Sequence, residues 1–438
     1  MSTPEERADD RARAFAEDTW TVGVIGLGYV GLPLAATAAA RGLGVIGFDV
    51  DPAKVDALHA GRSHVGDVTD AELAETLASG ARFTADEQQL ADADALVIAV
   101  PSPLGRNRQP DMAFIEAAAD TVSRVARPGQ LVSLESTTYP GTTEDYLVPA
   151  AEKAGLTLDE DVWVAYSPER VDPGNVRKTS DIPKVVGGVS SPSGVVAAAA
   201  YARLVDNVHV VSTAGAAELT KLLENTYRAV NIAMVNELAQ IAAAFDIDIW
   251  EVVDAAATKP FGFQAFYPGP GVGGHCIPLD PQFLAWRARE AKVPTRFIDL
   301  AEDVNVHMPD YVLDRIARQL NERERPIKGT RVLGLGAAYK RNIADDRESP
   351  AIDVLRRLAQ RGAHVGVMDP YVPADHLARH GFEVVDDGAD LTGWDLAVVL
   401  TDHDDVDYEG IARAVGAVFD TRDVYRRRGL SSDAVTTL

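Results

Sequence analysis

Short apolar runs, each four to six residues long, recur through the first half of the chain, and helical stretches separate them. Such runs are typical of strands that are buried on both faces of a parallel sheet. Strands that alternate with helices predict a doubly wound α/β domain that ends near residue 210. The runs are residues 21–25, 45–49, 95–100, 130–134 and 163–166.

A long helical stretch follows, and then the strand pattern returns. Residues 214–245 contain few helix breakers and, at about 1.5 Å per residue, would form a helix of roughly 48 Å that bridges domains. Apolar runs near residues 332–336, 364–368 and 396–400 predict a second α/β domain. The predicted fold is two Rossmann-like doubly wound domains joined by a long central helix and a helical domain. The expected boundaries are a polar leader over 1–19, α/β domains over 20–212 and 326–438, and a helical domain over 213–325.

The composition excludes several classes of protein. A net charge of −24 argues against a general nucleic-acid binder, which needs a basic surface to meet phosphates. One cysteine, Cys276, excludes intramolecular disulfides and zinc sites built from several thiolates, and the sequence predicts no metal site. The N-terminus lacks the apolar core of a signal peptide, and no stretch approaches the roughly 18 apolar residues of a membrane span. We therefore expect a soluble, cytoplasmic protein without a nucleic-acid or membrane partner.

Gly26, Gly28 and Gly31 form a GxGxxG pattern between the first predicted strand and the helical stretch after it. Such glycines also serve ordinary turns, but here Asp49 ends the next strand, 23 residues after Gly26. Backbone at this kind of turn approaches a pyrophosphate at a helix N-terminus, and the carboxylate accepts hydrogen bonds from ribose hydroxyls. The pattern predicts a dinucleotide site. No arginine closely follows Asp49, which favours NAD over NADP, although Lys54 keeps NADP open.

The single cysteine lies in a loop rich in glycine and proline. A lone cysteine is most often a small buried apolar residue. The glycines before Cys276 instead indicate a loop whose backbone amides point at a ligand, and Asp280-Pro281 is typical of an N-cap followed by a first-turn proline. The thiol would then lie just before a helix, whose dipole favours the thiolate. On structural grounds alone, Asp280 would be only that cap and His275 only a turn residue.

Two further pairs of polar residues attract attention. Lys221 and Asn225 are four residues apart, on one face of the long predicted helix. Their spacing alone favours solvent-exposed side chains. Glu169 and Arg170 follow the strand at 163–166, and by themselves they would form a surface ion pair.

Over about residues 20–430 the sequence resembles the UDP-glucose/GDP-mannose dehydrogenase family, the sugar-nucleotide 6-dehydrogenases. Taken together, the shared motifs are highly specific. The sequence is most similar to the bacterial UDP-N-acetylglucosamine 6-dehydrogenases, through residues 258–263, 266–271 and 172–175. The motifs that carry the resemblance are Gly26-x-Gly28-x-x-Gly31, residues 135–142 and 167–170, Glu218-x-x-Lys221-x-x-x-Asn225, Gly273-Gly274-His275-Cys276-x-x-x-Asp280, Tyr339-Lys340 and residues 346–349.

Three positions depart from the pattern of the UDP-glucose branch. Glu135 stands where a lysine usually precedes Ser-Thr, Arg170 where a large apolar residue usually follows the glutamate, and His275 where a serine usually precedes the cysteine. These departures favour an N-acetylated sugar. The order of expectation is UDP-N-acetylglucosamine, then its mannosamine epimer, then UDP-glucose. The sequence leaves the hexosamine epimer open, because a C2 stereocentre is recognised by the shape of the pocket.

The resemblance implies an NAD-dependent four-electron oxidation of the sugar C6, from primary alcohol to carboxylate. An aldehyde has no oxygen anion to expel its second hydride, so a thiolate adds to it, and a thioester then forms and is hydrolysed. By this resemblance Cys276 is the nucleophile, and Lys221 and Asn225 stabilise the oxyanion.

The resemblance also implies the residues that act on water. Asp280 would orient or activate the hydrolytic water, and Glu169 and Thr137 would assist. The sequence leaves open whether Glu169 or Asp280 is the base.

The family's domain roles follow the same boundaries: NAD binding over 20–212, dimerisation and the cysteine loop over 213–325, and binding of the UDP-sugar over 326–438. Residues 334–336 read Gly-Leu-Gly, but Tyr339 occupies the place of a third glycine, so this domain is assigned to UDP rather than to a second NAD. Lys340 and Arg347 are the implied partners of the UDP portion.

The other implied binding residues complete the set. Arg170 would contact the sugar or its acetamido group, and Lys259 would reach across the interface of a homodimer or higher homo-oligomer. The implied cofactor-binding residues are Gly26, Gly28, Tyr29, Val30, Gly31, Asp49, Lys54, Pro101, Ser102 and Thr137. The implied substrate-binding residues are Glu169, Arg170, Lys221, Asn225, Lys259, Phe266, Tyr267, Gly271, Gly274, Lys340 and Arg347.

Two other classes of function share some of these features. A two-electron hydroxyacid-type dehydrogenase can combine a Rossmann domain with a helix that carries lysine and asparagine, and Cys276 in its glycine loop argues against it. A non-catalytic nucleotide-binding protein would not need the complete set of Lys221, Asn225, Cys276 and Asp280. The number of NADH molecules formed per sugar separates the three classes: two, one or none.

Overall fold

The computed structural model describes residues 2–105, 107–171, 179–274 and 276–438. The chain divides into two compact units. The first unit combines residues 1–224 with 282–293, and the second combines residues 225–281 with 294–438.

The first unit is built on an eight-stranded sheet. Its strands are β1 (Thr21–Ile25), β2 (Gly44–Phe48), β3 (Arg82–Thr84), β4 (Ala95–Ile98), β5 (Gln130–Leu134), β6 (Val162–Tyr166), β7 (Lys184–Gly188) and β8 (Val208–Val211). They are ordered β3-β2-β1-β4-β5-β6-β7-β8, and all neighbours run parallel except β6 and β7. Apolar cores lie on both faces: along β4, Ala95 and Val97 belong to one core and Leu96 and Ile98 to the other.

Helices cover both faces of this sheet, as the apolar strands predicted. They are α1 (Pro4–Glu17), α2 (Gly31–Ala40), α3 (Pro52–His59), α4 (Asp70–Ala78), α5 (Ala113–Val125), α6 (Val148–Lys153) and α7 (Ser191–Tyr201). Short 3-10 helices lie at Glu87–Asp92 and Thr179–Asp181, and a π-helical turn lies at Thr143–Leu147.

The charged leader forms helix α1, which was not predicted from the sequence. Thr3 and Glu6 form a capping box at its start, and this satisfies backbone donors that would otherwise have no partner. Ala8 and Phe15 are buried in the core on one face of the sheet. An apolar stripe this narrow on a highly charged segment is easily read as a solvated leader.

The remaining helices and a second sheet complete the chain. The helices are α8 (Ala214–Ala244), α9 (Ile249–Ala257), α10 (Cys276–Glu290), α11 (Arg296–Glu322), α12 (Pro350–Gln360), α13 (Ala374–Ala378), α14 (Tyr408–Ala414) and α15 (Val424–Arg427). The strands are β9 (Arg331–Leu335), β10 (His364–Met368), β11 (Glu383–Val384), β12 (Leu396–Val399), β13 (Val418–Asp420) and β14 (Val435–Thr437). This six-stranded sheet is parallel throughout, in the order β11-β10-β9-β12-β13-β14.

The predicted fold class is confirmed: the chain contains two Rossmann-like sheets, and the long helix α8 and further helices lie between them in sequence. The predicted helix at 214–245 corresponds closely to α8. Among the residues that the structure describes, no helix combines the length and apolar character that a membrane span requires.

Candidate active site

The turn after β1 has the geometry of a dinucleotide-binding loop. Leu27 N–H donates to Asp49 Oδ2 at 3.0 Å, which links the turn to the end of β2. The Lys54 ammonium lies 3.2 Å from the same carboxylate oxygen. Lys54 was the residue that left NADP possible as the cofactor, because a cation could bind its 2′-phosphate. Its ammonium is instead paired with Asp49, and this favours NAD.

The glycines of this turn leave room for a ligand. A Cβ on Gly31 would lie 1.8 Å from the carbonyl oxygen of Gly26, so α2 can begin this close to the turn only with glycine there. A Cβ on Gly28, three residues before the start of α2, would meet no protein atom within 4 Å. These residues fit a bound pyrophosphate.

The other cofactor candidates lie at the same edge of the sheet. Pro101 and Ser102 follow β4, and Thr137 follows β5. The two loops are joined because Ser136 Oγ accepts from Val100 N–H at 2.9 Å and donates to Val100 O at 2.8 Å. Since the carboxyl ends of parallel strands share one edge, the fold brings these residues toward the glycine turn.

A buried lysine lies between two glutamates in the first unit. Lys184, the first residue of β7, is 3% exposed and donates to Glu135 Oε2 at 2.9 Å and to Glu169 Oε2 at 2.8 Å. Lys184 was not predicted from the sequence. The signal that could have revealed it is Glu135 itself, because a glutamate buried at the end of a strand needs a cationic partner.

The two carboxylates respond differently to burial. Burial raises the pKa of Glu135, and the attraction of Lys184 does not offset it, although Tyr201 also donates to Glu135 Oε1 at 2.8 Å. Burial acts in the same direction on Glu169, but the Lys184 ammonium and two backbone amides outweigh it and hold the pKa of Glu169 below its usual range. Of the two carboxylates, Glu169 is therefore the one that gives up its proton more readily.

Lys221 and Arg170 occupy positions that their spacing did not predict. Lys221 is buried rather than solvent-exposed, and its Nζ donates to the main-chain oxygen of Glu169 at 2.6 Å. The expected surface ion pair between Glu169 and Arg170 is wrong. Arg170 instead pairs with Glu224, through Nη2 to Oε1 at 2.5 Å and Nε to Oε2 at 3.1 Å, while Glu169 binds Lys184.

In the second unit, α10 begins at Cys276 and not at Asp280-Pro281 as the sequence predicted. Asp280 does not cap the helix because its side chain is buried, where Oδ2 accepts from Asn225 Nδ2 at 2.5 Å. Pro281 consequently lies inside the helix, where it removes one backbone donor. Cys276 and Asp280 are four residues apart on one helix face, and the exposed thiol lies at the positive end of the helix dipole.

The glycines before Cys276 have a packing role that the sequence did not reveal. Gly274 has φ +78°, and a Cβ there would lie 2.8 Å from the ring of Tyr339. A Cβ on Gly273 would lie 2.7 Å from both Tyr339 and Pro350. These glycines therefore let the cysteine loop contact the segment between β9 and α12 directly.

The same segment carries the two predicted UDP-binding cations. Lys340 follows Tyr339, and Arg347 donates to the carboxylate of Asp345 through Nε at 2.9 Å and Nη2 at 2.7 Å. Arg347 also lines a cavity of about 370 Å³ together with His376 and His380. Within the second unit, the loop that leads into Cys276 thus adjoins the segment that carries the predicted UDP-binding residues.

The remaining substrate candidates lie between α9 and α10. Lys259 is exposed. Phe266 packs edge-on against Tyr227 with ring centroids 5.8 Å apart, and Tyr267 donates to Asp254 Oδ1 at 2.9 Å. Phe266 and Tyr267 are therefore held in place by residues of the central helices.

Two of the sequence features lie outside the described residues. They are His275 in the cysteine loop and the Asp172-Pro173-Gly174-Asn175 segment that comes after Val171.

The chain also matches three domains of one protein family. The NAD binding domain of the UDP-glucose/GDP-mannose dehydrogenase family matches residues 20–205, its central domain 215–307 and its UDP binding domain 333–427. The chain belongs to the UDP-glucose/GDP-mannose dehydrogenase family. The predicted cofactor, NAD, is confirmed by the match of the NAD binding domain to residues 20–205, which contain strands β1 to β7.

The relatives of this UDP-sugar dehydrogenase are named for different sugars. The chain is 35% identical over 434 residues to the NDP-N-acetyl-D-galactosaminuronic acid dehydrogenase of Ralstonia nicotianae, and the alignment covers 96% of this chain and 100% of that one. It is 36% identical over 382 residues to the UDP-N-acetyl-D-glucosamine 6-dehydrogenase of Pseudomonas aeruginosa, covering 86% and 89%. The structure of a UDP-D-ManNAc dehydrogenase from Pyrococcus horikoshii is similar with a TM-score of 0.84 and 32% identity, covering 92% and 96%.

Proposed function

We propose that this UDP-sugar dehydrogenase oxidises C6 of UDP-N-acetyl-D-glucosamine to the carboxylate, in two successive two-electron steps. One observation carries the proposal: the exposed Cys276 thiol starts α10, one helical turn before the buried Asp280 that Asn225 engages. A nucleophile and a carboxylate on one helix face are what a covalent step followed by hydrolysis requires.

The first oxidation removes the C6 hydroxyl proton and a hydride, and the second begins when the Cys276 thiolate adds to the aldehyde carbon. The C–S bond forms as the carbonyl becomes an alkoxide, and loss of the second hydride leaves a thioester. NAD, when bound, accepts one hydride in each step. Water then adds to the thioester, the C–S bond breaks, and the thiol and the uronate are released.

Several polar side chains would act on the substrate oxygen that becomes negative and on the water that attacks the thioester. Lys221 and Asn225 would donate to the developing oxyanion, since both carry N–H donors on α8. Asp280 would orient the water, and Glu169 and Thr137 would assist. Glu169 also contributes its main-chain oxygen, which accepts from Lys221.

The diphosphate of the substrate needs local cations because the chain carries a net charge of −24. Lys340 and Arg347 would meet the UDP portion, and Lys259 would reach the substrate of a second subunit. Arg170 would approach the acetamido group, with its guanidinium already oriented by Glu224.

An N-acetylhexosamine is favoured over glucose by Glu135 and Arg170, which depart from the UDP-glucose pattern. The relatives' names support the N-acetylated class, and they include gluco, manno and galacto forms. UDP-N-acetyl-D-mannosamine is therefore the second candidate.

A substrate panel tests the proposal. The purified protein is incubated with NAD and UDP-GlcNAc, UDP-ManNAc, UDP-GalNAc or UDP-glucose, and both kcat/KM and NADH per sugar are measured. We expect UDP-GlcNAc to give the highest kcat/KM and two NADH per sugar. One NADH per sugar would contradict the four-electron reaction, and a higher kcat/KM for another sugar would reassign the substrate.

We also propose that the protein is a homodimer or a higher homo-oligomer. Met234, Leu238, Ile241 and Phe245 recur at helical spacing along α8 and its end, and all are exposed. A contiguous apolar stripe of this kind is typical of a subunit interface. Met234→Asp with Leu238→Asp should yield monomers in light scattering, whereas the exposed control Glu237→Gln should not; an unchanged mass of the double variant argues against this interface.

A further inference from the structure

We propose that Glu218 is a positioning residue for the oxidation: from α8 it fixes the loop that follows β5, and so holds Thr137 where that residue can assist the reaction. The inference rests on the proposed function, in which Thr137 assists and Lys221 stabilises the oxyanion. Glu218 is the member of the Glu218-x-x-Lys221-x-x-x-Asn225 motif that has no part in that reaction.

The side chain of Glu218 is fully buried, and both of its oxygens accept hydrogen bonds. Oε2 accepts from Gly141 N–H at 2.6 Å, and Oε1 accepts from Thr143 N–H at 2.9 Å and from Thr143 Oγ1 at 2.7 Å. Burial raises the pKa of Glu218, although these donors act in the opposite direction. A buried carboxyl group is costly unless it is hydrogen-bonded, so these bonds indicate what Glu218 does. It holds the start of the π-helical turn at Thr143–Leu147.

Thr137 lies between two fixed points of the loop after β5. On one side, Ser136 Oγ forms two hydrogen bonds with the backbone of the loop after β4, at 2.9 and 2.8 Å. On the other side, the hydroxyl oxygens of Thr138 and Thr142 are 2.6 Å apart, and Thr142 lies between the two residues whose amides bind Glu218. The carboxylate therefore fixes the second of these points.

Helix α8 holds the loops after two neighbouring strands. Three residues after Glu218, on the same helix face, Lys221 Nζ donates to the main-chain oxygen of Glu169, which follows β6. Strands β5 and β6 are paired in the sheet. Glu218 thus sets the loop that carries Thr137 against the helix that carries the Lys221 ammonium.

A second side chain contacts the same turn. Arg287 Nε donates to Pro140 O at 3.2 Å, and its guanidinium carbon lies 5.3 Å from the ring centroid of Tyr139. A Cβ on Gly141, whose φ is +101°, would lie 3.1 Å from Arg287 Nη2. The backbone of the turn therefore gives donors to Glu218 and an acceptor to Arg287, which restricts the orientation of its peptide groups.

An ordinary helix cap would use the same three hydrogen bonds, but the two roles differ in what a variant changes. Loss of a cap that serves only stability lowers the free energy of unfolding and leaves kcat of the folded protein unchanged. Loss of a positioning residue lowers kcat, and does so only while the residue that it positions is present.

The test is a double-mutant cycle of Glu218→Gln and Thr137→Val, measured with NAD and the sugar nucleotide that the substrate panel prefers. A glutamine has one acceptor oxygen and a donor nitrogen, so one backbone N–H of the turn loses its partner and the turn shifts. We expect Glu218→Gln to lower kcat about tenfold to hundredfold, as for a group misplaced by about 1 Å. In the Thr137→Val background the same change should lower kcat by less than about twofold.

The KM for the UDP-sugar should not change in Glu218→Gln, because the predicted partners of the UDP portion belong to the other compact unit. Glu144→Gln, at an exposed position in the same π-helical turn, is the matched control and should keep the wild-type kcat. Thr143→Val removes only the hydroxyl donor to Glu218 and should lower kcat about threefold to tenfold, again only while Thr137 is present.

Equal losses of kcat with and without Thr137, or an unchanged kcat in folded Glu218→Gln, contradict the positioning role. If Glu218→Gln does not fold, the cycle of Thr143→Val with Thr137→Val decides the question by the same criterion. Failure of the proposed function looks different, because the wild-type protein would then oxidise none of the four sugar nucleotides.

Discussion

The two α/β sheets of the protein begin with the same local structure and then diverge. In the first, Gly26 follows β1 and donates its N–H to Phe48 O at 2.8 Å; in the second, Gly336 follows β9 and donates to Met368 O at 2.9 Å. Both glycines have positive φ, +95° and +85°. The sheets therefore share a strand–turn unit, and the residues after it can be compared one by one.

The comparison corrects the alignment suggested by the Gly-Leu-Gly sequence. Gly334 lies inside β9, and Gly336 is the counterpart of Gly26. The glycines at 28 and 31 thus correspond to Ala338 and Arg341. Moreover, α2 begins at residue 31, next to its turn, whereas the helix after the second turn begins only at residue 350.

The aspartates that end the second strands also differ. Asp49 accepts the Leu27 amide, whereas Asp369 Oδ2 accepts the amides of Ala337 at 2.7 Å and Ala338 at 3.0 Å, with His403 Nε2 also 3.0 Å away. In the second sheet, a carboxylate of the protein thus occupies amides that could otherwise face a phosphate. The residues that come after one strand–turn unit therefore decide whether the amides of that turn can face a dinucleotide or bind a carboxylate of the protein itself.

The largest expected effect comes from a variant that removes the chemical step and leaves ligand binding to both α/β domains intact. Cys276→Ala should lower uronate formation by at least roughly 10³-fold, because the nucleophile is lost. Binding of NAD and of the UDP-sugar, measured by calorimetry, should change little. Normal turnover by this variant would overturn the covalent mechanism.

The next effect tests the structural role of Asp369. Burial raises its pKa, but His403 and backbone amides outweigh burial and lower the pKa to about 2. The pKa of Asp369 is lower in the folded protein than in the unfolded chain, where it is about 3.9. The carboxylate therefore stabilises the fold by about 2–3 kcal/mol at pH values above about 3.9, and this contribution is lost as the pH falls toward 2.

Asp369→Asn should therefore lower the free energy of unfolding at pH 6, and the difference in this free energy between variant and wild type should disappear toward pH 2. Urea titrations at several pH values measure the free energy of unfolding, with Asp387→Asn, at an exposed position, as the control. A constant difference at all pH values contradicts this role for the carboxylate.

A smaller effect tests which side chains hold UDP. Lys340→Ala and Arg347→Ala should each raise KM for the UDP-sugar by about tenfold to thirtyfold, as expected for a lost charged hydrogen bond, and leave KM for NAD unchanged. Lys328→Ala, an exposed lysine just before β9, is the matched control. A selective rise in KM for NAD would reverse the assignment of the two sheets.

The smallest effect concerns the ribose of the cofactor. Asp49→Asn should raise KM for NAD by about fivefold, since an amide is a weaker acceptor for ribose hydroxyls, without changing KM for the UDP-sugar. Steady-state kinetics with Asp56→Asn as the exposed control measures this change. An unaltered KM for NAD would mean that Asp49 serves the Leu27 and Asp51 amides and Lys54 rather than the cofactor.

Much of the fold could be predicted because its signals are local. Apolar runs such as 95–98 and 130–134 are typical of strands covered on both faces, and the GxGxxG spacing indicates a turn before a helix. The start of α10 could not be read in this way. Asp280-Pro281 has the local pattern of a helix start, but the contact of Asp280 with Asn225 involves a residue 55 positions away.

The candidate site shows the same division. Cys276 and the glycines around it were identified from their unusual local composition, and NAD from the turn and Asp49. Lys184 was missed because a lysine at the start of a strand looks like any solvated edge residue. Only the pairing of β5, β6 and β7 places it between Glu135 and Glu169.

The sequence by itself determined the two parallel sheets, the long helix, the dinucleotide turn and the single thiol, because each depends on neighbouring residues and on burial periodicity. The tertiary structure decided which charges are paired and which are buried. It placed Lys221 on a main-chain oxygen, Asp369 on the second turn and Lys184 within a buried ion cluster. The physical reason is that the free energy of a charge depends on the partners and the water around it, and distant parts of the chain supply those partners only after folding.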